Sequence, residues 1–396
     1  MANIKTIGIG VVGLGRAFTL MLPTFVADSR VRLVAATDPI AAARERFVHD
    51  FGGATYEDVD ELCNDASVEL VYVASPHQFH AEHATRAFAA RKHVMIEKPM
   101  ALSIDECTTM IDAARRAKRH LIVGHSHSFN RPVARVAELI RSGEYGDVRM
   151  ITALNFTDFL YRPRRPEELV TEAGGGVVFS QGAHQIDIVR LVGGGELTSV
   201  RARTGVWDSA RPTEAAYSAL LAFKNRAFGH ATYSGFAHYD SDELMGDIGE
   251  LGQAKTIADY GATRRRHAAL DARDEAIAKA ARNYGGSAYA PSLAGATAWQ
   301  HFGLLVVTCD HADLRPTPTG VTIYGDFERK VETLPPPRYP REEVIEEIVD
   351  ALRNDRAPVH DGEWARATVE ACLGILASAG ENRDVTLHHQ VPVRSR

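Results

Sequence analysis

The residues best placed to do chemistry in this 396-residue sequence are a lysine, a histidine, a glycine turn and a cluster of arginines. Lys98 ends the run His93-Val94-Met95-Ile96-Glu97-Lys98-Pro99, in which Val94 to Ile96 read as a buried parallel strand that Pro99 stops. Open α/β sheets bind their ligands at the carboxyl ends of strands, and a desolvated lysine there can serve as a base. Gly174-Gly175-Gly176 precedes a helical stretch to Leu191 on which Ser180, His184 and Asp187 share one face. Gly13-Leu14-Gly15-Arg16-Ala17-Phe18 follows an apolar strand, Ile4 to Val12, and leads into a helix to about Val26. In that context G-x-G-x-x-G/A means dinucleotide binding: Gly13 turns the chain, Gly15 admits a pyrophosphate, and the helix N-terminus faces the phosphates. Phe18 departs from the small third residue of the fingerprint. Asp38 ends the strand Val31 to Thr37, where an acid accepts the ribose hydroxyls of NAD. No arginine follows it directly to neutralise a 2′-phosphate, so NAD is expected over NADP, although Arg44 and Arg46 lie within a turn or two.

The arginines lie in Asp158-Phe159-Leu160-Tyr161-Arg162-Pro163-Arg164-Arg165-Pro166, a loop stiffened by proline. Guanidinium forks suit carboxylates, and the prolines limit the entropy lost on closing over a ligand. A dianionic substrate fits this loop better than a neutral sugar; a solvated basic loop or an intersubunit arm is the alternative. His77, His80 and His83 recur three apart, but no acid or cysteine joins them at ligand spacing, so no metal is expected.

Positioning these groups calls for a βα repeat. After Thr37 the pattern gives a helix (Ile40 to Phe51), another (Tyr56 to Asn64), a strand (Leu70 to Ala74) stopped by Ser75-Pro76-His77, and a helix (Ala81 to Ala90) leading to Lys98. A helix capped by Ser103 with Glu106 three residues on, and the strand Leu121 to Gly124, complete a parallel sheet. Beyond it, Arg149 to Phe156, Leu197 to Val206, Ala216 to Phe223 and Ala227 to Tyr233 alternate as strands of a half-solvated antiparallel sheet do. Thr263 to Arg282 reads as a charged, exposed or intersubunit helix and Gly285 to Gly295 as a loop. Strands near Gly303 to Cys309 and Val321 to Tyr324 return to the sheet, and helices Arg341 to Arg353 and Glu363 to about Ala379 close the chain.

Length favours two domains, since single cores stop growing near 250–300 residues. A formal charge of -6 argues against nucleic acid or an anionic membrane as partner. The four cysteines are widely spaced and form no C-x-x-C, which suits a reduced, cytoplasmic compartment. No apolar stretch approaches the roughly 20 residues that span a bilayer.

In order, Gly13-x-Gly15, Asp38, Ser75-Pro76-His77, Glu97-Lys98-Pro99, Ser128-Phe129-Asn130-Arg131-Pro132, Gly143-Glu144-Tyr145-Gly146-Asp147-Val148, Gly174-Gly175-Gly176 and His184-Gln185-Ile186-Asp187 resemble the Gfo/Idh/MocA family of nicotinamide-dependent oxidoreductases. The resemblance covers most of the chain. It implies a Rossmann domain over residues 1–124 and, over 125–396, an α/β domain with a large, mostly antiparallel open sheet, its last helices packing back on the first domain. It also implies a homodimer or homotetramer built through that sheet. By resemblance Lys98 and His184 are the catalytic pair, and Gly13, Gly15, Arg16, Ala17, Phe18, Asp38, Ser75, Pro76, His77, His80, Glu97 and Lys98 surround NAD. Arg162, Arg164, Arg165, Tyr161, His127 and Ser180 are the candidates for the substrate. One departure stands out: many members carry aspartate four residues before the histidine, and this chain has Ser180, which cannot supply charge to steady an imidazolium. Either Lys98 and His184 suffice, or an acid from elsewhere substitutes.

Within the family, Gly13 to Pro23, Ala74 to His80 and Phe156 to Leu169 resemble the phthalate 4,5-cis-dihydrodiol dehydrogenases of aromatic catabolism, whose substrate bears two adjacent carboxylates and a cis-diol. The implied chemistry is hydride transfer from a carbinol C–H to nicotinamide, with Lys98 or His184 removing the hydroxyl proton and the other holding the oxyanion. A sugar or polyol dehydrogenase, and a regulator that senses nicotinamide without catalysis, are the other readings.

Overall fold

The computed structural model describes residues 5–124, 126–290 and 297–394, without the side chains of Ile257 and Ala272. Six parallel strands form the first sheet in the order β3-β2-β1-β4-β5-β6: β1 (Ile7–Val12), β2 (Val31–Thr37), β3 (Ala54–Tyr56), β4 (Leu70–Val73), β5 (His93–Ile96) and β6 (Leu121–Val123). β1, β4 and β6 are buried at every residue, as a sheet covered by helices on both faces requires. Helices α1 (Arg16–Ala27), α2 (Ala41–Phe51), α3 (Val59–Asn64), α4 (His80–Ala89) and α5 (Ile104–Ala117) supply that cover. Strand order reverses between β1 and β4, the crevice where such sheets bind nucleotides.

Local rules set most of these boundaries. Ser103 caps α5 by accepting from the Glu106 N–H at 3.2 Å while its hydroxyl donates back to the Glu106 carboxylate. The helix expected from Tyr56 is corrected: Tyr56 pairs with Thr37 as the last residue of β3, and α3 begins only after the Asp58 side chain caps it. Ile4, expected to open β1, lies outside the described residues.

Nine strands form the second sheet in the order β14-β13-β12-β11-β7-β10-β9-β8-β15. They are β7 (Val148–Phe156), β8 (Leu197–Gly205), β9 (Ala216–Phe223), β10 (Phe228–Ser234), β11 (Leu304–Cys309), β12 (Ala312–Thr317), β13 (Gly320–Gly325), β14 (Arg329–Thr333) and β15 (Val385–Thr386). Every pair is antiparallel except β7 with β10. Sequence reading missed β12 because Pro316 demotes the run; the proline sits past the end of the β11 ladder, where no N–H is needed. Helices α6 (Arg131–Ser142) and α7 (Ala183–Gly193) pack on one face, burying Val136, Ile186 and Val189 against Ile151, Leu221 and Val307. Each such side chain contributes about 1.5–3 kcal/mol. The other face exposes Met150, Phe228 and Leu220, the first two paired across β7 and β10.

The segment after β10 folds back on its own chain along one side and leaves Arg265, Arg266, Arg273, Asp274 and Ile277 exposed, so the single helix expected over Thr263 to Arg282 is corrected only in being divided. It holds two helices, α8 (Ala262–His267) and α9 (Ala272–Ala280), both docked on the arginine loop. Arg211 meets Glu275 of α9 at 2.6 Å, Lys279 pairs with Glu168, and the Arg264 guanidinium stacks 3.9 Å over the Tyr161 ring. The loop expected over Gly285 to Gly295 is described as far as Ala290, and its remainder lies outside the described residues.

The last helices return to the first domain. α10 (Glu342–Asn354) buries Val344, Ile345 and Ile348 in the core that holds Phe18, Met21 and Phe25 of α1. α11 (Gly362–Glu381) places Ala365 and Val369 against Ile111 of α5. Asp187, expected on the catalytic face of α7, instead joins α7 to α11: its Oδ1 accepts from Trp364 Nε1 at 2.6 Å and Thr368 Oγ1 at 3.1 Å, and its Oδ2 from Ser126 and Ser128. Among the described residues no helix is long and apolar enough to cross a membrane, and all four cysteines are buried and free.

Candidate active site

At the end of β1 the chain turns at Gly13, whose φ of +94° and N–H bond to the Thr37 carbonyl (2.9 Å) favour glycine. A Cβ there would lie 2.8 Å from the Ser75 nitrogen. Gly15 caps α1 with no side-chain bond, and among the described residues nothing lies within 4 Å of where its Cβ would be. The uncapped N–H groups of α1 thus face open space, the arrangement that holds a phosphate. Asp38 accepts from the N–H of Leu14 (2.7 Å) and of Ile40 (2.8 Å), which fixes its carboxylate beside the turn. Arg44 is drawn to Glu57 at 2.6 Å and Arg46 to Asp50 at 2.7 Å, so both nearby arginines are already paired with acids. The residues present fit a dinucleotide, and the acid at Asp38 fits NAD. Gly15→Val is expected to keep the melting temperature within a few degrees while weakening NADH binding by at least about ten-fold, whereas Gly13→Ala destabilises the fold; calorimetry and fluorescence titration separate the two.

Four of the residues expected around the cofactor do other work. Phe18 is fully buried against Tyr284 at 5.2 Å, a core residue rather than a cofactor contact. His80 is also corrected: it is 1% exposed, and its ring nitrogens face the carbonyls of Ser75 (3.0 Å) and Pro99 (3.1 Å), tying the two strand-end loops together. Burial lowers its pKa to about 4. Glu97 is buried beneath the strand end, accepting from the Tyr72 hydroxyl at 2.5 Å, and its charge acts on buried Arg341. His77 reaches the second domain, with Nε2 2.8 Å from the Ala173 carbonyl. Ser75 Oγ lies 2.9 Å from His83 Nδ1, Pro76 caps the turn His77–Phe79, Ala17 is half-buried, and Arg16 is exposed.

Lys98 leaves β5 and crosses to the second domain, where Nζ donates to the Ser180 carbonyl at 2.7 Å. That carbonyl belongs to a π-helical turn, Val178–Gly182, that leads into α7, so the expected regular helix is widened at the residue facing the lysine. The turn is anchored by Glu214, which accepts from the Val178 N–H at 3.0 Å and the Thr171 hydroxyl at 2.5 Å. Gly176, with φ +76°, leaves the room that this carboxylate fills. Burial lowers the Lys98 pKa; the charges of Glu97 and Glu250 oppose this and Arg164 assists it. His184 is buried, its ring 4.9 Å from that of His127 and 5.3 Å from that of Phe302.

A carboxylate missed in the sequence completes the centre. Glu250 lies 3.3 Å from His127 Nε2 and 3.8 Å from Arg162. Burial alone would raise its pKa, but the His127 hydrogen bond and the Arg162 charge outweigh it and hold the acid at about 2. Asn130 Nδ2 donates both to the Gln300 carbonyl and to His127 Nδ1, each at 3.0 Å, so the neutral His127 carries its proton on Nε2, toward Glu250. His301 secures the loop: its Nε2 donates to the Ile248 carbonyl at 2.8 Å, and its N–H to that of Glu250 at 3.3 Å. An acid therefore reaches the site from a separate segment where the usual aspartate is replaced by Ser180. No local spacing marks Glu250, one of many acids between Asp240 and Tyr260.

The three arginines part company. Arg162 faces Glu250, while Arg164 stacks 3.7 Å over Phe159 and donates to its carbonyl at 2.9 Å. Burial lowers the Arg164 pKa to about 10 against the raising charge of Glu168. Arg165 is tied to Glu167 at 3.0 Å, and Tyr161 turns its hydroxyl to Asp208 at 3.1 Å, so each already meets an acid of its own chain. Among the described residues no three His, Cys, Asp or Glu side chains converge to hold a metal.

Comparison with known proteins places these features in a family context. The profile described as "Oxidoreductase family, NAD-binding Rossmann fold" matches residues 7–125, and that of the GFO/IDH/MocA C-terminal domain matches residues 133–255. The chain is 48% identical over 371 residues to the 1-carboxy-3-chloro-3,4-dihydroxycyclohexa-1,5-diene dehydrogenase of Comamonas testosteroni, covering 93% of this chain and 94% of that one. It is 35% identical over 193 residues to the glucose-6-phosphate 3-dehydrogenase of Bacillus subtilis (strain 168), covering 47% of this chain and 53% of that one. A solved structure from Bordetella bronchiseptica RB50 superimposes with a TM-score of 0.91 at 38% identity, covering 96% of this chain and 100% of that one.

Proposed function

The chain belongs to the GFO/IDH/MocA oxidoreductases and is an NAD-binding dehydrogenase of that family, and from this premise we propose that it oxidises the cis-dihydrodiol of a carboxylated aromatic ring to the catechol. The finer reading is conversion of 4,5-dihydro-4,5-dihydroxyphthalate to 4,5-dihydroxyphthalate. One observation carries it: Arg162 meets Glu250 at 3.8 Å, Arg162 and Arg164 both flank the Phe159 ring, and the charges of Glu250 and Arg164 act on Lys98, which sets two guanidiniums suited to carboxylates about the lysine. A neutral polyol would offer no carboxylate to Arg164, whose guanidinium stacks on Phe159 and bonds its carbonyl. The Comamonas relative, by its name, acts on a ring with one carboxyl group.

When bound, NAD supplies the hydride acceptor. Lys98 takes the hydroxyl proton as the carbinol C–H bond breaks, and its lowered pKa suits a base. His184, held edge-on by His127, hydrogen-bonds the developing oxyanion. Glu250 fixes His127 and balances the cationic site. The hydroxy-ketone then moves its remaining carbinol proton to oxygen, and aromaticity makes the oxidation favourable. The exposed sheet face with Met150, Leu220 and Phe228 joins copies of the chain; a monomeric mass by light scattering would contradict this.

The test is NAD reduction, followed by cofactor absorbance, with the phthalate dihydrodiol, a monocarboxylated diol, an uncarboxylated ring diol, myo-inositol and glucose. Turnover is expected with the carboxylated diols, with kcat/KM at least about 10²-fold lower for the uncarboxylated one, which offers the guanidiniums no carboxylate. Turnover confined to inositol or glucose overturns the proposal.

A further inference from the structure

We propose that residues 281–289, an arm that belongs to the second domain in sequence, clamp the adenosine diphosphate half of the cofactor, with Arg282 as the phosphate-binding residue. The proposal rests on the cofactor being NAD and is independent of the dihydrodiol substrate. The Tyr284 N–H donates to the Leu14 carbonyl in the glycine turn at 3.2 Å, and its hydroxyl to Asp50 of α2 at 2.7 Å. Its ring is 2% exposed, edge-on to Phe18 at 5.2 Å and to Tyr289 at 5.3 Å. Gly285, with φ +76°, backs on to α2: a Cβ there would lie 3.1 Å from the Cα of Ala43. The arm thus spans from the glycine turn to the start of α2 just beyond Asp38, where this fold places a diphosphate and its ribose.

Charge points to the same ligand. Arg16 opens α1 and its guanidinium donates to the Thr19 hydroxyl at 3.3 Å, and among the described residues neither it nor Arg282 is ion-paired with an acid. Crowding by the chain, then the charges of Arg282 and Arg162, lowers the Arg16 pKa; Arg282 is lowered by desolvation and by Arg266 and Arg162. Cations that repel one another beside the open space at Gly15 hold a positive potential that an anion relieves. A twelve-residue helix, α1, adds its N-terminus. Tyr284 must release Leu14 or Asp50 for the arm to lift, so it governs how fast the dinucleotide leaves.

Fluorescence titration with NADH and competition by ADP and adenosine test this in wild type and Arg282→Ala, a change at an exposed side chain that leaves the core intact. Arg282→Ala is expected to raise Kd about ten-fold for NADH and ADP, to flatten their dependence on salt, and to leave adenosine unchanged. In stopped flow, Tyr284→Phe, which loses the hydroxyl's bonds to Asp50 and to the Arg46 carbonyl, is expected to speed NADH release several-fold. Wild-type Kd values for NADH and ADP in Arg282→Ala overturn the phosphate role, and an unchanged release rate in Tyr284→Phe overturns the clamp. Failure of the wild-type protein to bind NADH overturns the cofactor reading itself.

Discussion

Lys98→Met is expected to lower kcat by about 10²–10⁴-fold while NADH still binds within a few-fold of wild type. The thioether matches the length of the lysine stem, so the crossing between the domains stays filled and the loss is one of chemistry. Lys98→Arg is expected to fail almost as badly. A guanidinium keeps the bond to the Ser180 carbonyl but cannot release its proton near neutral pH, whereas burial already draws the ammonium of Lys98 toward that range. Steady-state kinetics with a dihydrodiol, beside a fluorescence titration of NADH, measure both. A Lys98→Met enzyme with wild-type kcat would remove the lysine from the proton transfer.

Glu250→Gln is expected to cost about 10–10²-fold in kcat/KM, because a buried carboxylate that accepts from His127 and neutralises Arg162 is exchanged for a dipole. The pH profile separates its roles. Lys98 is influenced by burial, by Glu97 and Glu250, which raise its pKa, and by Arg164, which lowers it. Removing one raising charge lowers the pKa further, and a base acts deprotonated, so the acid limb of kcat/KM moves to lower pH. Glu250 itself, with a pKa of about 2, contributes no limb of its own in the accessible range. An acid limb that stays put or moves upward would mean that the Glu250 charge does not reach the lysine. Glu250→Asp, which keeps the charge, should restore most of the wild-type profile.

The first domain was legible because each of its signals is local. Gly13 and Gly15 follow a strand, Asp38 ends the next, Ser103 and Glu106 cap a helix, and Lys98 precedes a proline; each is marked by its immediate neighbours in the sequence. The centre of the second domain was only half legible. Lys98 and His184 carried recognisable surroundings, but Glu250 arrives from a loop held by Asn130, Gln300 and His301, more than a hundred residues from one end of the set to the other. Composition also misled where a residue's work is buried. His80 and Phe18 lie in the right motifs but face inward, and the polar ends of Arg165 and Tyr161 are drawn to Glu167 and Asp208. The charged stretch after Tyr260 is exposed along one side, and the anchors on its other side are tertiary and left no local signal: Glu275 with Arg211, Lys279 with Glu168, Arg264 with an aromatic face.

The most direct test of the central claim follows the hydride itself. The phthalate cis-dihydrodiol carrying deuterium on its carbinol carbons should convert NAD to cofactor bearing one deuterium, release 4,5-dihydroxyphthalate, and turn over more slowly than the protium substrate. Recovery of unlabelled reduced cofactor, or of unchanged diol beside enzyme that binds NADH, would contradict the account.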